Sequence, residues 1–210
     1  MSEQKILKIH NKLTLQNINV CDGAEVRCHA ATSSTLDAGE TIKINNAKVL
    51  ADIECDSHNW CRDYSSDIIK AKNIVIKKYS ELIVSTGGIG LNASESIYIE
   101  DSEVYVSANN QSGTDDSGWD IILMTAINID IKSSNVEANI IDNCYSYMGM
   151  TYAITAESLT ITNNSVVNAS VKANDRHGSY DSILSTIKAD KIQVTDNSVL
   201  DAYNNRRYAI

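Results

Sequence analysis

The 210-residue sequence contains no proline and no phenylalanine. About ten prolines would be expected at average usage. Their absence excludes collagen, proline-rich linkers and loop-rich sandwiches whose turns depend on proline. In a stack of β-strands nearly every strand is central, so each backbone N–H is needed by a neighbouring strand and proline has no place. The missing proline therefore favours stacked strands.

Positive charge is scarce, because 18 Lys and Arg residues stand against 27 Asp and Glu residues, for a net charge of -9. This balance argues against nucleic acid and against an anionic membrane surface as partners. No run of 18 apolar residues is present, so we predict no membrane insertion. The first five residues lack the apolar core of a signal peptide. We expect a cytoplasmic protein if Met1 is the native start, and a secreted or cell-surface protein otherwise.

The chain has five cysteines, and no two of them form a Cys-x-x-Cys pair. An odd number without such pairs argues against both a disulfide framework and a zinc site. Cys28 and Cys55 alternate with apolar residues and are predicted to be small core residues. We therefore expect reduced thiols at the five positions, which are Cys21, Cys28, Cys55, Cys61 and Cys144.

One pattern occurs six times, in the order alanine, apolar-x-apolar, polar turn and a further apolar residue. The apolar pairs begin at Ile42, Ile74, Ile97, Ile129, Leu159 and Ile192. After the turn, apolar and polar residues alternate, as in Val49, Ala51 and Ile53, which predicts a strand. The fifth copy slips by one residue, which predicts a bulge near Ser165. The turns are rich in Asn, Asp and Ser, and we expect these side chains, once stacked, to form ladders like the asparagine ladders of other stacked β structures.

A third apolar segment precedes each alanine, so each repeat contains three predicted strands. Three strands per turn, stacked in parallel, predict an all-β fold: a right-handed parallel β-helix of about seven coils. We predict a single domain over residues 1–210. Residues 1–12 would form an N-terminal cap and residues 13–210 the coils.

The order of alanine, Ile-x-Ile, polar turn and Val-x-Ala resembles the pectate-lyase-like superfamily of right-handed parallel β-helices. Within it, the sequence is most similar to non-catalytic carbohydrate-binding and adhesin-type repeats. The resemblance covers residues 13–210, and the glycine-rich loops of those repeats are represented only by Gly87-Gly88-Ile89-Gly90. It implies a protein that binds carbohydrate, with a polysaccharide or glycan as partner. Some members of the family bind acidic sugars through calcium.

Long insertions follow the second strand of four coils, over residues 54–67, 109–120, 141–151 and 172–181. Insertions in a stacked repeat map to one face, so we predict that these loops share an edge. Their aromatic rings and carboxylates suit sugars, which offer CH faces and hydroxyl edges. The predicted carbohydrate-binding residues are Trp60, Asp63, Tyr64, Trp119, Asp120, Tyr145, Tyr147 and Tyr180. In the alternative interpretation, the tryptophans only close the loops over the core.

An acidic row follows the outward side of one predicted strand. Asp52, Glu54 and Asp56 are candidate calcium ligands, because calcium prefers several oxygen ligands. The alternative is a solvated acidic face that keeps the protein soluble. The cofactor prediction is therefore none, or calcium.

Catalytic residues are hard to assemble from this sequence. The local clusters are Arg62 with Asp63, and Asp175 with Arg176 and His177, and they lie on different loops. A β-helix hydrolase needs paired carboxylates, and a lyase needs calcium-binding carboxylates with a positioned base. We therefore favour a protein without enzymatic activity and keep a polysaccharide lyase or glycoside hydrolase as an alternative.

The ends of the repeat suggest a second alternative function. Tyr208-Ala209-Ile210 repeats Tyr152-Ala153-Ile154, so we expect the chain to stop within a coil. An open end would expose unpaired backbone groups and apolar core. A structural protein that self-associates end to end or side by side, as a homo-oligomer through its coil ends, is therefore an alternative to carbohydrate binding.

Overall fold

A computed structural model describes residues 6–30, 35–53, 67–110, 120–142, 150–173 and 183–206. None of these segments forms a helix with the length and hydropathy needed to span a bilayer. Fifteen β-strands make up the described chain: β1 Ile6–His10, β2 Leu13–Cys21, β3 Glu25–Ala30, β4 Leu36–Asn45, β5 Lys48–Ile53, β6 Asp67–Lys77, β7 Glu81–Thr86, β8 Ile89–Glu100, β9 Glu103–Asn110, β10 Ile121–Lys132, β11 Asn135–Asp142, β12 Met150–Thr162, β13 Val166–Ala173, β14 Ile183–Val194 and β15 Val199–Arg206.

The strands form two parallel sheets between which the chain alternates. The odd-numbered strands, β1 to β15, make an eight-stranded sheet, and the even-numbered strands, β2 to β14, make a seven-stranded sheet. Each strand pairs in parallel with the strand two elements further along the chain. The predictions of an all-β fold and of parallel stacking are confirmed, and the arrangement is compatible with a parallel β-solenoid. We call the pair of sheets the stack.

The number of strands in each repeat differs from the prediction. The predicted third strand and the first strand of the next repeat form one continuous strand, as in β8 and β10. Register shifts occur within several of these long strands, between Ala71 and Asn73 and between Thr125 and Asn128. An irregularity of this kind bends a strand without ending its pairing. Within the described residues each repeat therefore contributes two strands.

The core lies between the two sheets and is built from rows of identical or similar side chains. Ile42, Ile74 and Ile97 occupy one inward position on successive even strands, and each is completely buried. Val49, Leu82 and Val104 likewise occupy one inward position on successive odd strands, and each is completely buried. Burying a side chain of this size contributes about 1.5–3 kcal/mol. Repeating one apolar position in every strand therefore stabilises the stack and sets its register.

The turns that lead from an even strand to the next odd strand contain one or two left-handed residues. Single ones are Asn46, Asp101 and Ser133, whereas pairs occur at residues 22–23, 78–79, 163–164 and 196–197. In the fifth repeat the second left-handed residue lengthens the turn by one residue and so accounts for the slip in the sequence pattern. Val167 then pairs directly with Val136 in an unbroken register. The predicted bulge near Ser165 is therefore wrong. In the sixth repeat Leu200 is half-buried, and Val199, the apolar residue that follows the turn in the repeated pattern, is 51% exposed.

A ladder of serine side chains lies beside these turns. The residue before each odd strand points inward, and from β7 onward it is serine. The hydroxyl groups accept hydrogen bonds of 3.1–3.3 Å from the backbone N–H of the equivalent residue one strand earlier. Four of them also donate to a carbonyl of their own turn at 2.5–2.8 Å. The ladder consists of Ser80, Ser102, Ser134, Ser165 and Ser198.

Two of the five cysteines lie within the described residues, and both are free thiols. Cys28 is buried, as predicted, and its pKa is raised to about 12, mainly by burial. Cys55, Cys61 and Cys144 lie outside the described residues. Residues 6–10, predicted as part of an N-terminal cap, form β1, the first strand of the larger sheet.

Candidate functional site

Four long connections leave the stack from one edge, which we call the loop edge. They follow β5, β9, β11 and β13 and lead into the next even strand. Asn110 pairs with Asp142, and Asp142 pairs with Ala173, so three of the loops start on adjacent strands. Adjacent strands lie about 4.8 Å apart. The prediction that the insertions attach along one edge is confirmed.

The repeat that contains β7 has no insertion at the loop edge. Only Gly87 and Gly88 separate β7 from β8, and the Gly88 N–H donates to the Thr86 hydroxyl at 2.9 Å. The loops that follow β5 and β9 consequently start two strands apart, at about 10 Å. From β5 to β14, the loop edge therefore has one long loop, a short turn and then three consecutive long loops.

The structure describes one of the eight predicted carbohydrate-binding residues. Asp120 lies directly before β10 and is exposed, and its Oδ1 atom accepts a hydrogen bond from the backbone N–H of Met150 at 2.8 Å. It thus joins the bases of two neighbouring loops. The other seven lie outside the described residues: Trp60, Asp63, Tyr64, Trp119, Tyr145, Tyr147 and Tyr180.

The predicted calcium ligands are described only in part. Asp52 is exposed, and its Oδ1 atom lies 3.1 Å from Nδ1 of His29 on the neighbouring strand β3. Glu54 and Asp56 lie outside the described residues. Within the described ranges, no three His, Cys, Asp or Glu side chains come together in a way that could hold a metal ion. The calcium site stays a prediction. The clusters around Arg62 and Arg176 also lie outside the described residues.

A row of polar side chains, all of them small except that of Tyr203, runs along the outer face of the eight-stranded sheet, within three residues of the strand ends at the loop edge. Each member pairs with the next, on strands β5 to β15. The Ser170 hydroxyl donates to Oδ1 of Asn139 at 2.7 Å. Five strand spacings give a length of about 24 Å. We call this feature the polar row; it comprises Asp52, Ser85, Ser107, Asn139, Ser170 and Tyr203.

An aromatic ring lies next to the polar row. Tyr105 stands two residues before Ser107 on the same face of β9 and is half-buried. Its hydroxyl donates to Oε2 of Glu103 at 3.1 Å. Burial, followed by this hydrogen bond and by the negative charges of Glu103 and Glu137, raises the pKa of Tyr105. The tyrosine therefore stays neutral at physiological pH and places an aromatic ring beside the row.

The outer face of the seven-stranded sheet carries a different cluster, centred on Tyr98. The Nζ atoms of Lys77 and Lys132 lie 4.3 and 5.0 Å from the ring centroid. A hydrogen bond from Tyr98, followed by the nearby lysines, lowers the pKa of Glu100 against the opposing effect of burial. Lys77, Glu100 and Lys132 occupy one position on successive strands. The contacts link neighbouring strands, so this cluster stabilises the sheet.

Sequence reasoning missed both the polar row and the Tyr98 cluster. The signal for each was present, because outward positions can be aligned from repeat to repeat once the inward apolar positions are matched.

A comparison of the whole chain with protein-family models, curated proteins and solved structures finds no significant match. The resemblance to the pectate-lyase-like superfamily consequently stays a prediction.

Proposed function

We propose that this protein is a right-handed parallel β-helix of about seven coils that binds a polysaccharide along the polar row and the loop edge, without catalysis. The observation that carries the proposal is the polar row itself. Six outward positions on consecutive strands of one sheet hold small polar or phenolic side chains, beside an edge where four insertions attach. A linear polymer can contact all six at once.

The chemistry of the polar row favours a neutral polysaccharide. Ser85, Ser107, Asn139 and Ser170 are uncharged and can both donate and accept hydrogen bonds, as sugar hydroxyl groups do. Tyr105 provides an apolar ring beside them for the CH face of a sugar. The regular strand spacing of about 4.8 Å repeats these groups along the axis of the stack. Repetition lets many weak contacts add along one polymer chain.

The loops supply the second half of the proposed site. Trp60, Trp119 and Tyr64, with the tyrosines at 145, 147 and 180, would stack on sugar rings, while Asp63 and Asp120 would bind hydroxyl groups. An acidic polysaccharide is opposed by the net charge of -9. Calcium held by Asp52, Glu54 and Asp56 would bridge such a polymer to the protein. We therefore propose that acidic polysaccharides require calcium and neutral ones do not.

Affinity electrophoresis in gels that contain neutral or acidic polysaccharides tests the proposal, with calcium and with a chelator. Ser107→Ala combined with Asn139→Ala removes two central polar groups of the row. Each lost hydrogen bond is worth about 0.5–1.5 kcal/mol, so the combined variant should bind about tenfold more weakly. The matched control is Asn128→Ala with Ser158→Ala, on the outer face of the seven-stranded sheet.

The expected result is retardation of the wild type and the control, with reduced retardation of the polar-row variant. Absence of binding to every polysaccharide, with and without calcium, would refute the proposal. Equal weakening by the control pair would place binding elsewhere. New reducing ends released from a polysaccharide during incubation would favour the alternative, a lyase or hydrolase.

A further inference from the structure

Exposed apolar side chains concentrate at the two ends of the stack. Of the twelve large hydrophobic residues exposed within the described ranges, seven lie on the end strands β1, β2, β14 and β15. Leu7 and Leu15 at one end are 53% and 49% exposed, and Ile192 and Val199 at the other are 47% and 51% exposed. Each of these four strands has a neighbour on one side only among the described strands. An unpaired edge with apolar side chains is a template for another strand.

The two ends of the eight-stranded sheet complement each other position by position. Following the strand register from β1 to β15 shows which residues occupy the same position at opposite ends. Leu7 and Leu200 terminate one inward row. Lys8 and Asp201 terminate the adjacent outward row, and both are exposed. If the β15 end of one copy met the β1 end of another in this register, the two leucine side chains would face each other, and Lys8 would face Asp201.

The seven-stranded sheet gives the same match. Ile18 and Ile192 terminate one inward row, and Val20 and Val194 terminate another. Size is complementary as well. Leu15 pairs with Ala38 at one end of this sheet and Ala189 pairs with Ala156 at the other, so a large side chain would lie near a small one. Ile9 and Ala202 repeat this combination in the other sheet.

We propose that the ends of the stack bind a second copy of this chain, head to tail, with β15 pairing with β1 and β14 pairing with β2 in the register that joins successive strands within the chain. Contact between two identical ends would instead bring the Asp201 side chains, or the Lys8 side chains, to the same edge. A head-to-tail contact does not close on itself, so it produces rods that grow with concentration.

This assembly goes beyond the proposed binding of polysaccharide and does not depend on it. The two would nevertheless be compatible, because the assembly continues the polar row from one copy to the next. Tyr203 ends the row in one copy, and His10 occupies the equivalent position on β1 of the following copy. A longer protein assembly would then offer a longer polar row to a polysaccharide chain.

Sedimentation velocity of the full chain over a range of concentrations tests the inference. Wild-type protein should form species that grow with concentration. Lys8→Glu alone places two acidic groups opposite each other, and Asp201→Lys alone places two basic groups opposite each other. Either change should weaken association about tenfold. An equal mixture of the two variants should associate again, because each mutated end then meets a complementary partner.

The matched controls are Lys78→Glu and Glu95→Lys, which make the same charge changes at exposed positions in the middle of the stack. They should associate as the wild type does, and circular dichroism should be the same for all variants. Wild-type protein that stays monomeric at the highest concentration overturns the inference. Association that neither end variant weakens, or that the mixture fails to restore, overturns the head-to-tail register.

Discussion

Replacing Ser134 with alanine tests whether the buried serine ladder stabilises the stack. The Ser134 hydroxyl donates to the Lys132 carbonyl at 2.6 Å and accepts the Ser102 N–H at 3.1 Å. The Lys132 carbonyl also accepts the Asp101 N–H at 3.1 Å, so it keeps a partner in the variant. The Ser102 N–H, in contrast, loses its acceptor at a site where Ser102 and Ser134 are only 5% and 6% exposed.

The size of the effect follows from this unpaired N–H group. A buried donor without an acceptor costs about 1–3 kcal/mol. Alanine itself fits the site, since Ala24 and Ala47 occupy the equivalent position in the first two repeats. There the Ala24 N–H donates to the Cys21 carbonyl at 3.1 Å instead. We therefore expect Ser134→Ala to lower the free energy of unfolding by about 1–3 kcal/mol.

Urea denaturation followed by circular dichroism measures this difference. Asn128→Ala is the matched control, because it removes a polar side chain from an exposed position on β10. The control should change the free energy of unfolding by less than about 0.5 kcal/mol. If Ser134→Ala had no larger effect than this control, the ladder would not stabilise the stack and the reasoning would be refuted.

Three further predictions concern single sites. Gly90→Ala should destabilise the protein by about 1–3 kcal/mol in urea denaturation, because the new Cβ would lie 2.6 Å from the Leu123 carbonyl oxygen; wild-type stability would contradict this. Cys28 should be alkylated at pH 8 only after unfolding, as measured by mass spectrometry, since its pKa is about 12; rapid labelling of the native protein would contradict its burial. Tyr98→Phe should raise the pKa of Glu100 in an NMR titration towards its ordinary value of 4.5. In the wild type the lowered pKa of Glu100 stabilises the folded state above pH 4.5, and this stabilisation is lost as the pH falls through the lowered pKa.

The main features of the fold follow from the period-two pattern of the sequence. Positions such as Ile42 and Val49 recur at matching places in successive repeats, and alternation fixes which side chains point inward. The continuity of strands such as β8 is not evident from this pattern. The segment around Ala93 interrupts the apolar alternation, while its backbone keeps pairing with the neighbouring strands through an irregular register.

Local choices at the turns were harder to predict, because neighbouring residues offer equivalent chemistry. The one-residue slip indicated that Val167 rather than Val166 points inward, and the pairing with β11 confirms it, but the sequence did not show that the extra residue lies in the turn and leaves the strand regular. Serine and asparagine both occur in the turns, and their roles depend on which side each faces. The loop edge was predictable from the insertions, whereas the polar row required the outward positions of all repeats to be aligned.

The most direct test of polysaccharide binding along the polar row is the affinity for a series of oligosaccharides of increasing length, measured by isothermal titration calorimetry with the Ser107→Ala and Asn139→Ala double variant as reference. Affinity should increase with length until the oligosaccharide spans the row, about 24 Å, and the advantage of the longer ligands should shrink in the variant. An affinity that does not depend on length, or an equal dependence in the variant, would contradict binding along the row.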